Sequence, residues 1–282
     1  KNIKMNNFGG NWTIEKMNIV TKYAKAYLEI MKMQTWAKTI YFDGFAGSGY
    51  IENDSLSNED ALGTALRILE IQKPKGFDMY YFVELDEKNK NSLQKTVQEN
   101  FFGLNAHVVK EDCNNKLKAL ANFLKKNKNH TALVFIDPYG MSVKWESIRA
   151  LKDLRIDLWI LVPTGLGVNR MLKNDGNISK SWMNKLEEFL GISDEEIKSV
   201  FYNKKIDHTL FGEEEIIEKD KDAIQKIEKV YKRKLNEVFK FVSEPFVMKN
   251  STNSIMYHFF MATNNASALK IANEVIKPDY KI

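Results

Sequence analysis

The sequence has little of the chemistry that several protein classes require. A single cysteine, Cys113, in 282 residues excludes a disulfide framework and any zinc site built from several cysteines. Four scattered histidines do not suit a histidine-rich centre, so no metal is predicted. No apolar run approaches the ~18 residues of a membrane span, and the first residues lack a signal-peptide pattern. We therefore expect a cytoplasmic protein without membrane association.

The composition is that of a folded protein with a weak preference for anionic partners. Hydrophobic residues make up 44% and aromatic residues 12% of the chain, which is enough for a large core. The 42 basic and 37 acidic side chains leave a net charge of +5. A charge of this size favours an anionic partner only mildly.

Strand-like and helix-like segments alternate through the first part of the chain. Strands are predicted at residues 38–43, 77–84, 106–110, 131–137 and 157–163. Helices are predicted between them, at residues 61–71, 88–100, 114–126 and 145–151. Continuous apolar runs at 132–136 and 158–162 suit strands that are covered on both faces. This alternation predicts an α/β fold with a doubly wound, Rossmann-like parallel sheet.

A helical insertion is predicted after the fifth strand. Residues 164–240 carry helical patterns and no strand pattern, and we expect them to form a substrate-recognition lid. Residues 241–248 and 255–263 then flank a hairpin loop, and a helix is predicted at 266–276. The predicted domain thus comprises 1–163 and 241–282, with five parallel strands and an antiparallel pair in a seven-stranded sheet.

A glycine-rich turn follows the first predicted strand. Its candidate ligand-binding residues are Asp43, Gly44, Phe45, Ala46, Gly47 and Gly49. The alternative is a tight turn that only packs a strand on a helix. The carboxylate of Asp43 would repel a dinucleotide pyrophosphate. It would attract a cationic or zwitterionic ligand, such as the methionine part of S-adenosylmethionine.

Acidic residues also end the next two predicted strands. Glu84 can accept hydrogen bonds from both ribose hydroxyls of an adenosine, although a solvated strand end is an equal alternative. Asp112 can accept a hydrogen bond from an adenine amine, with Glu111 as its competitor. It can equally cap the helix at 114–126. Carboxylates on consecutive strand ends are more informative together than singly.

The fourth predicted strand ends in Asp137-Pro138-Tyr139. Asp-Pro is often only a turn. At the carboxyl end of a parallel strand it would present a carboxylate, a stiffened carbonyl and an aromatic ring to a ligand. The two acceptors can hold the hydrogens of an exocyclic amine, and Tyr139 can stack on a base that is unpaired or flipped out.

Three polar residues outside the strand ends are candidate substrate contacts. Lys16 lies in the first helical pattern, in which Thr13 is expected to act as a cap. Asn169 and Arg170 follow the fifth strand. Arg170 could bind a phosphate, and a surface salt bridge is the equal alternative. Basic residues at 226–234 could follow a nucleic-acid backbone, but nearby acids favour a solvated amphipathic helix.

These motifs resemble those of class I S-adenosylmethionine-dependent methyltransferases. Residues 43–49 are similar to the cofactor motif of enzymes that methylate amines in nucleic acids. Residues 137–139 resemble their (Asn/Asp/Ser)-Pro-Pro-(Tyr/Phe) motif with one proline missing. The resemblance implies S-adenosylmethionine as cofactor, S-adenosylhomocysteine as product, and an amine as methyl acceptor.

A closer resemblance covers most of the chain. Residues 10–16, 43–49, 135–140, 163–172 and 257–260 are similar to the three-Cys-motif partner protein family. Its members are bacterial, methyltransferase-like proteins usually encoded beside a protein with a cysteine motif. The resemblance implies the fold and the cofactor, and it adds a possible protein partner with three cysteines.

Three functions follow as hypotheses. The first is methyl transfer to an exocyclic amine of a base in DNA or RNA, with adenine favoured. The second is a non-catalytic or cofactor-binding subunit that acts with a partner protein in a bacterial or phage-related system. The third, a nicotinamide-dependent dehydrogenase, is disfavoured by Asp43 before the glycines.

Overall fold

The computed structural model describes residues 11–51, 61–209 and 212–277. Its strands are β1 (Lys38–Asp43), β2 (Met79–Glu84), β3 (Ala106–Lys110), β4 (His130–Ile136), β5 (Ile156–Val162), β6 (Tyr202–Thr209), β7 (Gly212–Lys219), β8 (Phe241–Val242), β9 (Phe246–Lys249) and β10 (Ile255–Thr263). Its helices are α1 (Asn11–Lys32), α2 (Thr64–Leu69), α3 (Glu87–Asn100), α4 (Cys113–Lys126), α5 (Trp145–Arg149), α6 (Asn169–Met171), α7 (Lys180–Leu190), α8 (Asp194–Phe201), α9 (Ala223–Asn236) and α10 (Ala266–Val275).

The main sheet is mostly parallel, as predicted. Its strand order is β3-β2-β1-β4-β5-β10-β8, and β1 through β5 run parallel. The chain moves outward in one direction from β1 to β3 and returns to the other side of β1 with β4. Strand order reverses there, so a crevice opens at the carboxyl ends of β1 and β4.

Each face of the sheet is covered by its own helices. One hydrophobic cluster joins the sheet to α1, α2, α3 and α10, and the other joins it to α4, α5, α7, α8 and α9. Cys113 is buried in the second cluster as a free thiol. Because helices cover both faces of the mostly parallel sheet, the doubly wound architecture is confirmed.

Within the described ranges no helix, the 22-residue α1 included, is long and apolar enough to cross a membrane.

The insertion contains the predicted helices and, in addition, an antiparallel ribbon that was not predicted. Strands β6 and β7 pair with each other alone, in the register Tyr202 to Lys219 and Lys205 to Ile216. A strand that is half-buried against a sheet alternates apolar and polar residues. This ribbon packs on no sheet, so its strands are rich in charged residues and do not show that alternation. Helices α7 and α9 bury Phe189 and Tyr231 in the same core as β4 and β5. The role of the insertion as a lid stays a prediction.

The C-terminal antiparallel part has three strands instead of the predicted two. β10 pairs with β5 on one side and with both β8 and β9 on the other. The predicted strand at 241–248 is interrupted at 243–245, which includes Pro245. Proline lacks the N–H that a ladder requires, so the segment divides into two short edge strands.

Candidate active site

Four acidic residues lie at the carboxyl edge of the parallel strands. Asp43 and Glu84 are the last residues of β1 and β2, Asp137 directly follows β4, and Asp112 lies two residues beyond β3. β1 pairs with β4 in a register that aligns Asp43 with Phe135. The parallel ladder therefore brings together residues that are far apart in the sequence, as the strand predictions required.

The glycine-rich turn is fixed by hydrogen bonds to the two neighbouring strands. The Gly44 amide donates to the Phe135 carbonyl at 3.0 Å, and the Ala46 amide donates to the Val83 carbonyl at 3.0 Å. A Cβ at Gly44 would overlap the sulfur of Cys113. The backbone thus reaches this position only because residue 44 has no side chain.

Glu84 is tied directly to the turn. The carboxylate, on a residue that is 3% exposed, accepts a hydrogen bond from the Gly47 amide at 2.8 Å and another from the Asp86 amide at 2.8 Å. Gly47 has a φ of +63°, and no atom lies within 4 Å of the position its Cβ would take. Gly49, with a φ of +87°, likewise needs a residue without a side chain. Each Glu84 oxygen accepts one bond and retains acceptor capacity for a ligand hydroxyl.

Asp112 caps helix α4. Its Oδ1 accepts hydrogen bonds from the amides of Asn114 at 2.9 Å and Asn115 at 3.2 Å. Glu111 instead accepts from the Asp112 amide at 3.0 Å. The capping interpretation is therefore present in the structure. A contact of the Asp112 Oδ2 atom with an adenine amine stays a prediction.

Lys16 of α1 forms an ion pair with Oδ2 of Asp137. Its side chain is only 8% exposed, and its ammonium lies 5.6 Å from the centre of the Trp12 ring. Thr13 lies inside the first turn of α1, which begins at Asn11, so the expectation that Thr13 caps this helix is wrong. Gly10, the first residue of the N-terminal segment 10–16, lies outside the described residues.

The carboxyl group of Asp43 is strongly perturbed by its surroundings. Burial raises its pKa from 3.8 to about 7, although the hydrogen bond from the Phe45 amide lowers it. The negative charges of Asp137 and Glu84 raise this pKa, and the ammonium of Lys16 lowers it. In the described part of the chain, no group of three or more His, Cys, Asp or Glu side chains is arranged to hold a metal ion. The excess of carboxylates here suits a cationic ligand.

A cleft of about 240 Å³ opens beside Asp137, whereas Asp43, Glu84 and Asp112 do not line it. The lining residues are Trp12, Thr13, Lys16, Phe45, Asp137, Pro138, Tyr139, Gly140, Leu161 and Tyr257. Tyr139 is 68% exposed, and its ring meets that of Phe45 edge-on at 6.1 Å. The centres of the Trp12 and Tyr257 rings lie 5.2 Å apart. These last two residues were not among the predicted site residues, although both lie in the segments 10–16 and 257–260 that carry the family resemblance.

Asn169 and Arg170 do not line this cleft. They follow a π-helical turn, Thr164–Val168, which leaves the end of β5. Arg170 is exposed, and its charge lowers the pKa of Tyr257, which burial raises overall. Arg170 is therefore near the mouth of the cleft, where its role as a substrate contact stays a prediction.

The basic residues of α9 are largely ion-paired, as a solvated helix predicts. The pairs join Lys226 to Asp220, Lys232 to Glu244, Arg233 to Glu196 and Lys234 to Glu237. This helix therefore offers no continuous row of unpaired cations for a nucleic-acid backbone.

No protein-family model matches this sequence, and no curated protein is significantly similar to it. The resemblance to three-Cys-motif partner proteins stays a prediction. The chain is similar in structure to a protein from Legionella pneumophila, with 13% identity, a TM-score of 0.47, and coverage of 94% of this chain and 91% of that one. It is also similar to Trm1 from Pyrococcus horikoshii in complex with S-adenosylmethionine (10% identity, TM-score 0.41, coverage 95% and 72%). A third is the DszA carbon methyltransferase (11% identity, TM-score 0.37, coverage 80% and 47%). These likenesses are too low to transfer an activity to this chain.

Proposed function

We propose that this protein is an S-adenosylmethionine-dependent methyltransferase that acts on an exocyclic amine of a nucleic-acid base, with adenine favoured. The observation that carries the proposal is the charge at the carboxyl edge of the sheet. The carboxylates of Glu84 and Asp137 both act on Asp43 there, and Lys16 supplies the one buried ammonium among the described residues. A ligand with a sulfonium and an ammonium would compensate this excess of negative charge.

The glycine-rich turn and the acids at the ends of β2 and β3 suit the other parts of the same cofactor. Glu84 retains acceptor capacity on both oxygens for the ribose hydroxyls. Oδ2 of Asp112 accepts a long hydrogen bond from the Asn114 side-chain amide, at 3.4 Å, and retains acceptor capacity for the adenine amine. The open space above Gly47 allows a ligand to approach the backbone closely. When bound, S-adenosylmethionine supplies an electrophilic methyl group.

Asp137 and Pro138 are proposed to orient the acceptor amine. Lys16 holds Oδ2 of Asp137, whereas Oδ1 accepts no hydrogen bond from any described residue. Oδ1 and the Pro138 carbonyl can each accept one hydrogen of an amine, which fixes the direction of the nitrogen lone pair. Alignment of this kind is a major source of rate enhancement in group transfer.

The aromatic walls of the cleft support a planar acceptor. The cleft has a volume of about 240 Å³, which is below the range of about 300–1,000 Å³ for pockets that bind drug-sized ligands. A cleft of this size suits a single base. Tyr139, at 68% exposure, is free to stack on a base that leaves its strand. Such stacking contributes about 1–3 kcal/mol per base.

Calorimetric titration with S-adenosylmethionine and S-adenosylhomocysteine tests the cofactor assignment. The wild type should bind both, and Asp43→Asn should weaken binding by about 100-fold, the order expected when a buried charge loses its partner. Asp86→Asn is the matched control. It removes a carboxylate two residues after Glu84, and asparagine preserves the cap of α3. Equal losses in both variants, or no binding by the wild type, would contradict the assignment.

Transfer of a radiolabelled methyl group to single-stranded homopolymers tests the acceptor. Adenine polymers should accept the label, and Asp137→Ala should abolish transfer while cofactor still binds. Labelling of another base only would refute the adenine assignment. The non-catalytic subunit is the second candidate, favoured by the single proline at 138 where the amine-methylating motif has two. Cofactor binding without transfer to any nucleic acid, together with co-purification of a partner, would support it.

A further inference from the structure

A second cavity lies at the opposite edge of the sheet. It measures about 590 Å³, which falls in the range of about 300–1,000 Å³ typical of small-molecule sites. Its walls come from the second half of α1, the first residues of β4 and β5, and the connection from β10 to α10. We call it the basal cavity. No residue that lines it also lines the cleft of the candidate active site.

The floor of the basal cavity carries the carboxyl group of Asp157. The Tyr23 hydroxyl donates to Oδ2 at 2.7 Å, and the Thr263 hydroxyl donates to Oδ1 at 2.6 Å. Tyr23 and Thr263 are each 1% exposed, whereas Asp157 retains partial accessibility. Each carboxylate oxygen can accept a further hydrogen bond. Asp157 therefore has acceptor capacity directed at the cavity that the protein does not use.

The partners of Asp157 are neutral. No basic side chain of the described residues forms an ion pair with it, and loss of solvation raises its pKa. Buried carboxylates are ordinarily paired with a cation or coordinated to a metal. Two hydroxyl groups alone leave the carboxyl group without a cation in direct contact, so a cationic group that enters the cavity would find an electrostatic partner.

One part of the cavity wall is apolar and aromatic, and the rest is polar. The apolar part includes Tyr27, Ile30, Met31 and Trp36. The ring of Trp36 is 51% exposed, and its position is fixed by the Arg155 guanidinium, 4.6 Å from the ring centre. An exposed ring held in place is a suitable surface for an apolar or aromatic ligand.

We propose that the basal cavity binds a small organic amine, with its ammonium at Asp157 and its apolar body against Ile30, Met31 and Trp36. Arg155 and Lys240 also line the cavity. Their charges disfavour a ligand with a second cationic group, so the ligand carries one amine. The proposal does not depend on the methyltransferase assignment, because the two sites share no residue.

A series of three indole derivatives tests the proposal on the wild-type protein. Tryptamine carries the ammonium, tryptophol replaces it with a hydroxyl, and indole-3-propionate replaces it with a carboxylate. Tryptamine should bind at least about tenfold more tightly than tryptophol, and the propionate should not bind, because charge-assisted hydrogen bonds are the stronger ones. Equal affinities for tryptamine and tryptophol, or no binding of tryptamine, would overturn the proposal.

Two matched variants locate the site. Asp157→Asn removes the charge at the floor and should weaken tryptamine binding at least about tenfold. Asp153→Asn removes a carboxylate that lines the same cavity but is exposed, and its φ of +61° is one that asparagine tolerates. It should leave binding unchanged. Equal effects of the two variants would refute the role of Asp157.

Trp36→Ala keeps the test decisive if Asp157→Asn does not fold. Trp36 is half-exposed, so its removal leaves the core intact. The variant should weaken tryptamine binding about fivefold through lost contact with the ring. Unchanged affinity in this folded variant would exclude the proposed position of the apolar body.

Discussion

The two edges of the sheet each carry a desolvated aspartate, and the two differ in what surrounds it. At the carboxyl edge, Asp43 interacts with charged neighbours, the carboxylates of Glu84 and Asp137 and the ammonium of Lys16. At the amino edge, Asp157 is bonded only to the hydroxyls of two side chains. Burial raises the pKa of both.

The difference shows how its neighbours change the electrostatics of one residue type. Because its neighbours are charged, the pKa of Asp43 depends on the protonation and position of other groups. This dependence suits the proposed site for a charged cofactor. Neutral hydroxyls hold Asp157 in one geometry and join α1 and β10 to β5. Substitutions at each edge can therefore separate charge effects from hydrogen-bond effects.

The largest effect is expected from Lys16→Met. Removing the ammonium leaves the Asp137 carboxylate without its partner, which should lower the free energy of unfolding by about 2–4 kcal/mol and methyl transfer by about 100-fold or more. Lys234→Met is the control. Its side chain is similarly enclosed, at 12% exposure, but its partner Glu237 is on the surface, so about 1 kcal/mol or less is expected. Urea unfolding measures the stability of both variants, and transfer of a radiolabelled methyl group measures their activity. Equal losses in the two variants would contradict the special role of Lys16.

At the amino edge, Tyr23→Phe should lower the free energy of unfolding by about 1.5–3 kcal/mol, because it removes a hydrogen bond to a carboxyl group. Tyr27→Phe removes a weaker bond, from the Tyr27 hydroxyl to Thr131 at 3.2 Å, and should cost about 0.5–1.5 kcal/mol. Urea unfolding compares the two. A larger loss in Tyr27→Phe would show that the charge on Asp157 does not matter.

The pKa of Asp43 predicts how cofactor binding depends on pH. As the pH falls through about 7, Asp43 takes up a proton and loses the charge that attracts a cation. Affinity for S-adenosylmethionine should therefore be about tenfold lower at pH 6 than at pH 8, following the ionised fraction. Titration calorimetry measures the change. In Asp43→Asn this part of the dependence should disappear, and its persistence would assign it to another group.

The smallest effect is expected from Gly47→Ala. Its φ of +63° strains any residue with a side chain, and the surrounding space is open, so only about 1–2 kcal/mol of stability should be lost. Gly140→Ala has the same strain, with a φ of +59° and open space, and lies in the cleft. Both should lower the melting temperature equally. Only Gly47→Ala should also weaken cofactor binding, and identical binding would place the cofactor elsewhere.

Much of the carboxyl edge could be predicted because it depends on local patterns. Apolar runs mark the five parallel strands, and strand ends are read directly from where those runs stop. Parallel strands bring their carboxyl ends to one edge, so Asp43, Glu84 and Asp137 were expected to meet. The ribbon of β6 and β7 was not predicted, because strands that pack on no sheet need not alternate apolar and polar residues.

The sequence by itself determined the doubly wound sheet and the glycine turn with its acids, since each follows from periodicity, residue size and charge along a short segment. Tertiary structure alone decided the pairing of Lys16 with Asp137, 121 residues apart, and of Tyr23 with Asp157, 134 residues apart. Both depend on how α1 packs across the sheet. The geometry of such packing is set by the whole core, and no short segment of sequence records it.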